Sequence, residues 1–256
     1  MRAGLGLYAQ VMNTLAFDTC FGACSVAVTW RASGPKTPPP GVTRFELIER
    51  GHAERLMPMI DEAMGEAAFG FSELQRIIVT TGPGTFTGQR VGIAAARALS
   101  LATGAPVATL SSLTVMAYAA AAQLGNEVHG RTLAIAVDAR RGEVYFQAFN
   151  RADGRSPLQP INDPALLSPA DAVVALAGAE TIIAGSGAGL VAAAAAEGGR
   201  VAVRLETLQP DVRFIPHDAV MPTASRPRPL YLRPPDAKPQ GGAHLNPGGA
   251  QAMRVS

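Results

Sequence analysis

Residues Ile77 to Leu101 read IIVTTGPGTFTGQRVGIAAARALSL. Ile77, Ile78 and Val79 form a continuous apolar, β-branched run, the pattern of a strand covered on both faces. Gly82, Pro83 and Gly84 break that run, and Thr85 or Thr87 can cap the following helix by offering a side-chain oxygen to the free amides of its first turn. Outward amides and the helix dipole favour negative charge, so Gly82, Gly84, Thr85, Thr87 and Arg90 are candidate phosphate contacts. A tight connection that only turns the chain is the other reading. Along the helix, Gly88, Gly92, Ala95, Ala96 and Leu99 recur at three- and four-residue steps, a surface that lets a backbone approach closely. That backbone is either the chain's own sheet or a second protein.

Working outward, the same design occurs twice. Thr14 to Trp30 gives LAF, the turn DTCFGA and the alternating CSVAVTW, which reads as two strands joined at Asp18. Leu133 to Phe149 gives LAIAV, DARRGE and VYFQAF, with Asp138 in the place of Asp18. Thr181 to Ala196 repeats the Ile77 junction as TIIA, the loop GSGAG and an alanine-rich helix. Two halves with one order of elements imply duplication within an α/β fold.

The other segments fit around these halves. HAERLMPMIDEAM, from His52, places Leu56, Met59, Ile60, Ala63 and Met64 on one helical stripe that is either core or interface, and Pro58 is tolerable there only near the first turn or as a kink. Ser111 and Ser112 open another helix, and the boundary between the halves falls just before them, giving units 12–110 and 111–233. Residues 32–43 (ASGPKTPPPGVT) are expected to be a Pro-rich loop. Met12 directly precedes the first strand, so residues 1–11 are expected to be a leader without structural role, and residues 234–256 are too poor in apolar side chains to order themselves.

With 256 residues, 48% hydrophobic and 16% charged, the chain can bury roughly three quarters of its unfolded surface. No apolar run approaches the ~20 residues of a membrane span, and residues 1–11 lack a signal-peptide centre, so the expected location is the cytoplasm. Cys20 and Cys24 are too few for a disulfide scaffold or a four-ligand zinc site and suit reduced thiols. Net charge is +2, mostly from scattered arginine with no basic run longer than Arg140-Arg141, so charge alone would not hold a nucleic acid. Lys36 and Lys238, both in proline-rich stretches, are the only lysines, which removes a P-loop lysine and a Schiff-base lysine. His52, His129, His217 and His244 include no pair four apart, so no metal site is expected on one helix face.

HAERLMPMID, TTGPGTFTGQRVGIAAARALS, DARRGEVY and the late YLR together resemble the bacterial TsaB/YeaZ family of glycoprotease-like proteins, in order and spacing, from Met12 to Arg233. The resemblance implies the duplicated actin-like ATPase fold (ASKHA, ribonuclease H-like), with two subdomains built on mixed sheets. It further implies a non-catalytic scaffold that binds a catalytic paralogue, TsaD, and works with TsaE to place threonylcarbamoyl on the adenosine next to the anticodon of tRNAs reading codons that begin with A. On that basis His52, Leu56, Met59, Ile60, Met64, Gly88, Gly92, Ala95, Ala96 and Leu99 are candidate interface residues. Arg140, Arg141 and Glu143 are candidate contacts to the partner or to tRNA, with an exposed charged turn whose members contact each other as the other reading.

In actin-like ATPases the first hairpin carries an aspartate followed closely by glycine and hydroxyl residues, which makes Asp18 a further candidate phosphate contact. Here Thr19, Cys20 and Phe21 follow it, glycine is delayed to Gly22, and Phe21 would crowd a phosphate. No cofactor is expected to be required, with ATP or ADP contact confined to the partner interface. Exposed helix stripes imply a homodimer when the chain is alone. The alternatives are an autonomous ATPase or kinase of the same fold and a metallopeptidase, for which neither the ligand spacing nor HExxH is present.

Overall fold

A computed structural model describes residues 12–30, 41–150, 158–195, 200–216, 223–224 and 226–233. The first half runs β1 (Thr14–Asp18), β2 (Ala23–Thr29), β3 (Gly41–Leu47), α1 (His52–Gly65), β4 (Arg76–Thr80), α2 (Phe86–Thr103) and β5 (Val107–Leu110). Its sheet has the order β3-β2-β1-β4-β5. The hairpin strands pair antiparallel, and β1, β4 and β5 pair in parallel.

After α3 (Ser112–Leu124) the second half runs β6 (Thr132–Asp138), β7 (Val144–Asn150), β8 (Gln159–Pro160), β9 (Ala165–Leu167), α4 (Pro169–Ala175), β10 (Thr181–Ala184), α5 (Ala188–Ala194) and β11 (Val201–Arg204). Its sheet is ordered β11-β10-β6-β7-β8, with β9 also on β7. An antiparallel β6-β7 hairpin continues through β6, β10 and β11 in parallel. This repeats the first sheet strand for strand. Asp18 ends β1 as Asp138 ends β6, so the duplication seen as two echoes in the sequence is a duplication of topology.

The side-chain pattern explains the layers. Along β1, Leu15 and Phe17 face the core shared with α1 and α2, while Ala16 faces the opposite core with Ala27, Ile78 and Val115. That alternation follows from the two-residue period of a strand buried on both sides. The Thr85 hydroxyl caps α2 by accepting from the Gly88 amide, Ser111 caps α3 in the same way, and α2 stops at Gly104, whose φ of 76° suits glycine. Helix α3 is buried along most of its length: Leu113 and Met116 pack into the core of the second sheet and Val115 into the back of the first. It is shared by both halves.

The chain ends by crossing back. Ser25 on β2 donates to the Pro210 carbonyl (3.2 Å) and accepts from the Val212 amide (3.3 Å), and Val212 and Ile215 pack on the back of the first sheet. Residues placed with the second half by position in sequence therefore cover the first. Gly41, Val42 and Thr43, expected in the Pro-rich loop, open β3 and pair with Thr29, Val28 and Ala27. The expected leader 1–11, residues 32–40 of that loop and the tail 234–256 lie outside the described residues. Among the described residues no helix is long and apolar enough to cross a membrane.

Candidate functional site

The glycine-proline turn after β4 closes on the β1-β2 hairpin. Cys20 carbonyl accepts from the Thr85 amide at 2.7 Å, and the Thr19 hydroxyl donates to the Gly88 carbonyl at 2.7 Å. A β-carbon on Gly84 would lie 2.3 Å from the Cys20 oxygen, and one on Gly88 would lie 2.0 Å from the Thr19 oxygen. These glycines let the helix end touch the hairpin backbone. On the hairpin itself, the Cys20 amide donates to the Asp18 carboxylate (3.1 Å) and the Gly22 amide to Gln209 Oε1 (2.9 Å). Phe21 lies against Tyr145 of β7, ring centroids 6.3 Å apart, and packs on the core of the second sheet.

Of the candidate phosphate contacts, the structure brings Asp18, Gly82, Gly84 and Thr85 to this junction and leaves Thr87 exposed on α2. Asp18 is fully buried and accepts from the Thr80 hydroxyl as well as from the Cys20 amide. Burial raises its carboxyl to about 6 against the opposing pull of those hydrogen bonds. Burial, reinforced by the Asp18 charge, holds the Cys20 thiol well above its ordinary value, and burial lifts Cys24 to about 12. Both sulfurs are therefore protonated thiols rather than nucleophiles. Gln89 donates its amide to the Gly84 carbonyl (2.9 Å), while its Oε1 is buried without a partner among the described residues. That lone acceptor lies against Gly82 and suits a donor, not an anion.

Arg90 is engaged elsewhere. Its guanidinium lies 3.5 Å from the Phe86 ring centroid, its Nε donates to the Tyr231 hydroxyl at 2.8 Å, and the Phe86 and Tyr231 rings stack at 5.6 Å. In the second half, Arg140, Arg141 and Gly142 have φ of 65°, 59° and 75°, a left-handed turn held by the Arg140 amide on the Asp138 carboxylate at 2.7 Å. Glu143 is committed to Arg233 at 2.5 Å, and Arg233 also donates to the Ala139 carbonyl at 2.7 Å. The GSGAG loop repeats the glycine contact of the first half: a β-carbon on Gly185 would stand 2.4 Å from the Ala136 oxygen. Among the described residues no three His, Cys, Asp or Glu side chains converge as a metal ion would require.

The expected partner-binding stripes need correction. His52, Leu56, Met59, Ile60 and Met64 on α1, and Gly88, Gly92, Ala96 and Leu99 on α2, are buried in the chain itself, and Ala95 is half-buried against the same core. His52 is further tied by its ring Nε2 to the Phe21 carbonyl, 2.9 Å away. A second protein cannot use side chains whose surface is already covered. The faces left in solvent carry Met57 on α1 and Ala94, Ala98 and Leu101 on α2, with Leu101 89% exposed. Sequence reasoning missed these because it followed the stripes richest in apolar and small residues, which are the ones that face the chain's own core.

The model of a family described as "TsaD: tRNA N6-adenosine threonylcarbamoyltransferase" matches residues 39–217. A protein of Haemophilus influenzae named "tRNA threonylcarbamoyladenosine biosynthesis protein TsaB" is 39% identical over 148 residues, covering 57% of this chain and 58% of that protein. An uncharacterised protein of Mycobacterium tuberculosis is 33% identical over 231 residues, 90% of this chain and 96% of that one. The chain belongs to the TsaB/YeaZ glycoprotease-like family. The solved structure of YeaZ from Pseudomonas aeruginosa superposes with a TM-score of 0.69 at 29% identity, covering 86% of this chain and all of that one. The duplicated actin-like architecture of the TsaB/YeaZ family is thus the fold seen here. The chain spans little more than half the length of the curated TsaB relatives it matches, 58% and 56%.

Proposed function

We propose that this chain is a non-catalytic subunit of tRNA threonylcarbamoyladenosine biosynthesis, one that binds and supports the TsaD paralogue, works with TsaE and reaches tRNA through that complex in the cytoplasm. The observation that carries the reading is the closed hairpin. The backbone amide of Gly22, on the turn whose counterpart faces the phosphates in actin-like ATPases, donates to Gln209, and Phe21 packs on Tyr145. The first-hairpin aspartate is buried behind that turn. A site filled by its own chain supports a scaffold over an autonomous ATPase or kinase.

The outer faces of α1 and α2 supply the docking surface in this reading, through Met57, Ala94, Ala98 and Leu101. Apolar side chains on two adjacent helices suit a mixed helix bundle with the equivalent helices of the partner. The same surface, unpaired, makes homodimers of the isolated chain, displaced by TsaD. No cofactor is required by the chain itself, and ATP or ADP is contacted only where the two proteins meet.

Coexpression with TsaD of the same organism tests the reading. Copurification of the pair, together with absence of phosphate release by this chain alone in ATP and magnesium, is expected. Sustained hydrolysis by the isolated chain, or no association with TsaD, would overturn it.

A further inference from the structure

Cations are unevenly placed on this molecule. From Leu74 to Asn126 the sequence has no aspartate or glutamate, and neither does the segment RPRPLYLR, Arg226 to Arg233. The fold lays these two stretches side by side. Arg97 of α2 donates to the Pro227 carbonyl at 2.5 Å, the Leu230 amide donates to the Thr81 carbonyl at 2.7 Å, and Arg90 donates to the Tyr231 hydroxyl at 2.8 Å. Residues 226–233 therefore run as a strap along α2 towards its first turn, then reach the Asp138–Glu143 turn through Arg233. Arg90 and Arg97 are seven residues apart, about 10 Å along the helix axis. Arg226 and Arg228 are exposed and make no hydrogen bond or ion pair among the described residues. Arg140, 87% exposed at its side chain, stands beyond the strap but is paired with the Asp138 carboxylate at 3.7 Å, so it is not part of the row. The neighbouring carboxylate of Glu143 is occupied by Arg233.

Beside these cations stand two rings that a purely structural strap would bury. Phe86 is 48% exposed and Tyr231 42% exposed, stacked on each other with the Arg90 guanidinium on the Phe86 face. All the cations of the row are arginines, whose planar forks bind phosphate in pairs of hydrogen bonds and stack on bases. Exposed aromatic rings in a cationic row are what a strand with unstacked bases recognises.

We propose that the strap, through Arg226 and Arg228 beside Phe86 and Tyr231, binds RNA along the edge of the docking face, the arginines taking backbone phosphates and the rings a splayed base; Arg90 and Arg97, interleaved with Ala94 and Leu101 on α2, hold the strap in place. This deepens the reading above and rests on it for the identity of the RNA as tRNA. An acidic protein surface would use the arginines but leave the exposed ring pair without a role.

The test measures binding of labelled, unmodified tRNA transcript to the full chain and to its complex with TsaD, as a function of salt. Arg226→Glu/Arg228→Glu changes side chains that hold nothing in the fold, and its melting temperature verifies that. The variant is expected to bind tRNA at least tenfold more weakly, with the slope of log affinity against log salt reduced by about 1.4–1.8 for two lost phosphate contacts. Phe86→Ala should weaken binding with the slope unchanged. Wild-type affinity and slope in the folded double variant, or no tRNA binding by wild type in either form, would overturn the proposal. So would loss of TsaD association with tRNA affinity intact, which would assign the face to a protein. If the chain binds tRNA through this face yet neither copurifies with TsaD nor supports modification, the scaffold reading fails and this inference stands.

Discussion

Thr19 and Gly88 meet backbone to backbone. The Thr19 hydroxyl donates to the Gly88 carbonyl at 2.7 Å, and the Thr19 carbonyl oxygen stands 2.0 Å from where a β-carbon on residue 88 would be. The two residues seal the start of α2 against the first hairpin. Gly88→Ala must push that hairpin aside, and overpacking of this kind costs about 1–3 kcal/mol. For a chain of this size the melting temperature should fall by roughly 2–4 °C per kcal/mol. Gly65→Ala is the control: it has no atom within 4 Å of the new carbon and its φ is ordinary, so it should match or slightly exceed wild type. Equal melting temperatures for Gly88→Ala and wild type would refute the packing argument.

Asp18 makes stability depend on pH. Burial raises its carboxyl from 3.8 to about 6, so the folded state holds the proton more tightly than the unfolded chain. The resulting stability is fully present below pH 3.8 and is lost as pH rises through about 6. At 1.36 kcal/mol per unit the loss by pH 7.5 is about 3 kcal/mol. Denaturant unfolding of wild type and Asp18→Asn at pH 4 and pH 7.5 should show the difference between them shifting in favour of the variant by about that amount. Parallel pH profiles would show that the carboxyl does not titrate as described.

Much of this was legible in sequence and some was not, for identifiable reasons. The strand Ile77–Val79, the turn at Gly82 and the helix after Thr85 follow from β-branching, glycine and capping, all local properties. The duplication was legible because Asp138 repeats Asp18 at the same point of the same pattern. Helical spacing showed that Leu56, Met59 and Ile60 share a face, but periodicity carries no information about what covers it, and the chain's own first sheet does. The Glu143–Arg233 and Gly22–Gln209 contacts join residues far apart in sequence, so no window contains both partners. The arginine row is likewise assembled only by folding, since its members lie on α2 and on the strap.

Arg233 anchors the strap. It donates to the Ala139 carbonyl and to Glu143 with its side chain 19% exposed. Arg233→Ala removes these bonds, at about 1–2 kcal/mol in a half-buried setting, and should free residues 226–233 before the rest unfolds. Hydrogen exchange at the Leu230 amide, bonded to the Thr81 carbonyl, is expected to accelerate about tenfold, since 1.4 kcal/mol is a tenfold change in opening. An unchanged Leu230 rate would mean that the strap holds without its arginine.

The outer faces of the first two helices separate docking from folding. Leu101→Glu and Met57→Glu alter exposed side chains and should leave melting temperature nearly unchanged while abolishing copurification with TsaD and shifting the isolated chain from dimer to monomer in light scattering. Gly92→Arg, by contrast, introduces a side chain where even a β-carbon would meet Thr19 Oγ1 at 2.9 Å, and should unfold the protein. Association retained in both glutamate variants would move the interface to another surface.

The central claim is that this chain acts by supporting TsaD. The direct measurement is formation of threonylcarbamoyladenosine on an unmodified tRNA transcript by TsaD and TsaE, with and without this chain and with its Leu101→Glu variant. Modification only when the wild-type chain is present, and its loss with the folded variant, is the predicted result. Modification at the same rate without the chain would contradict the account.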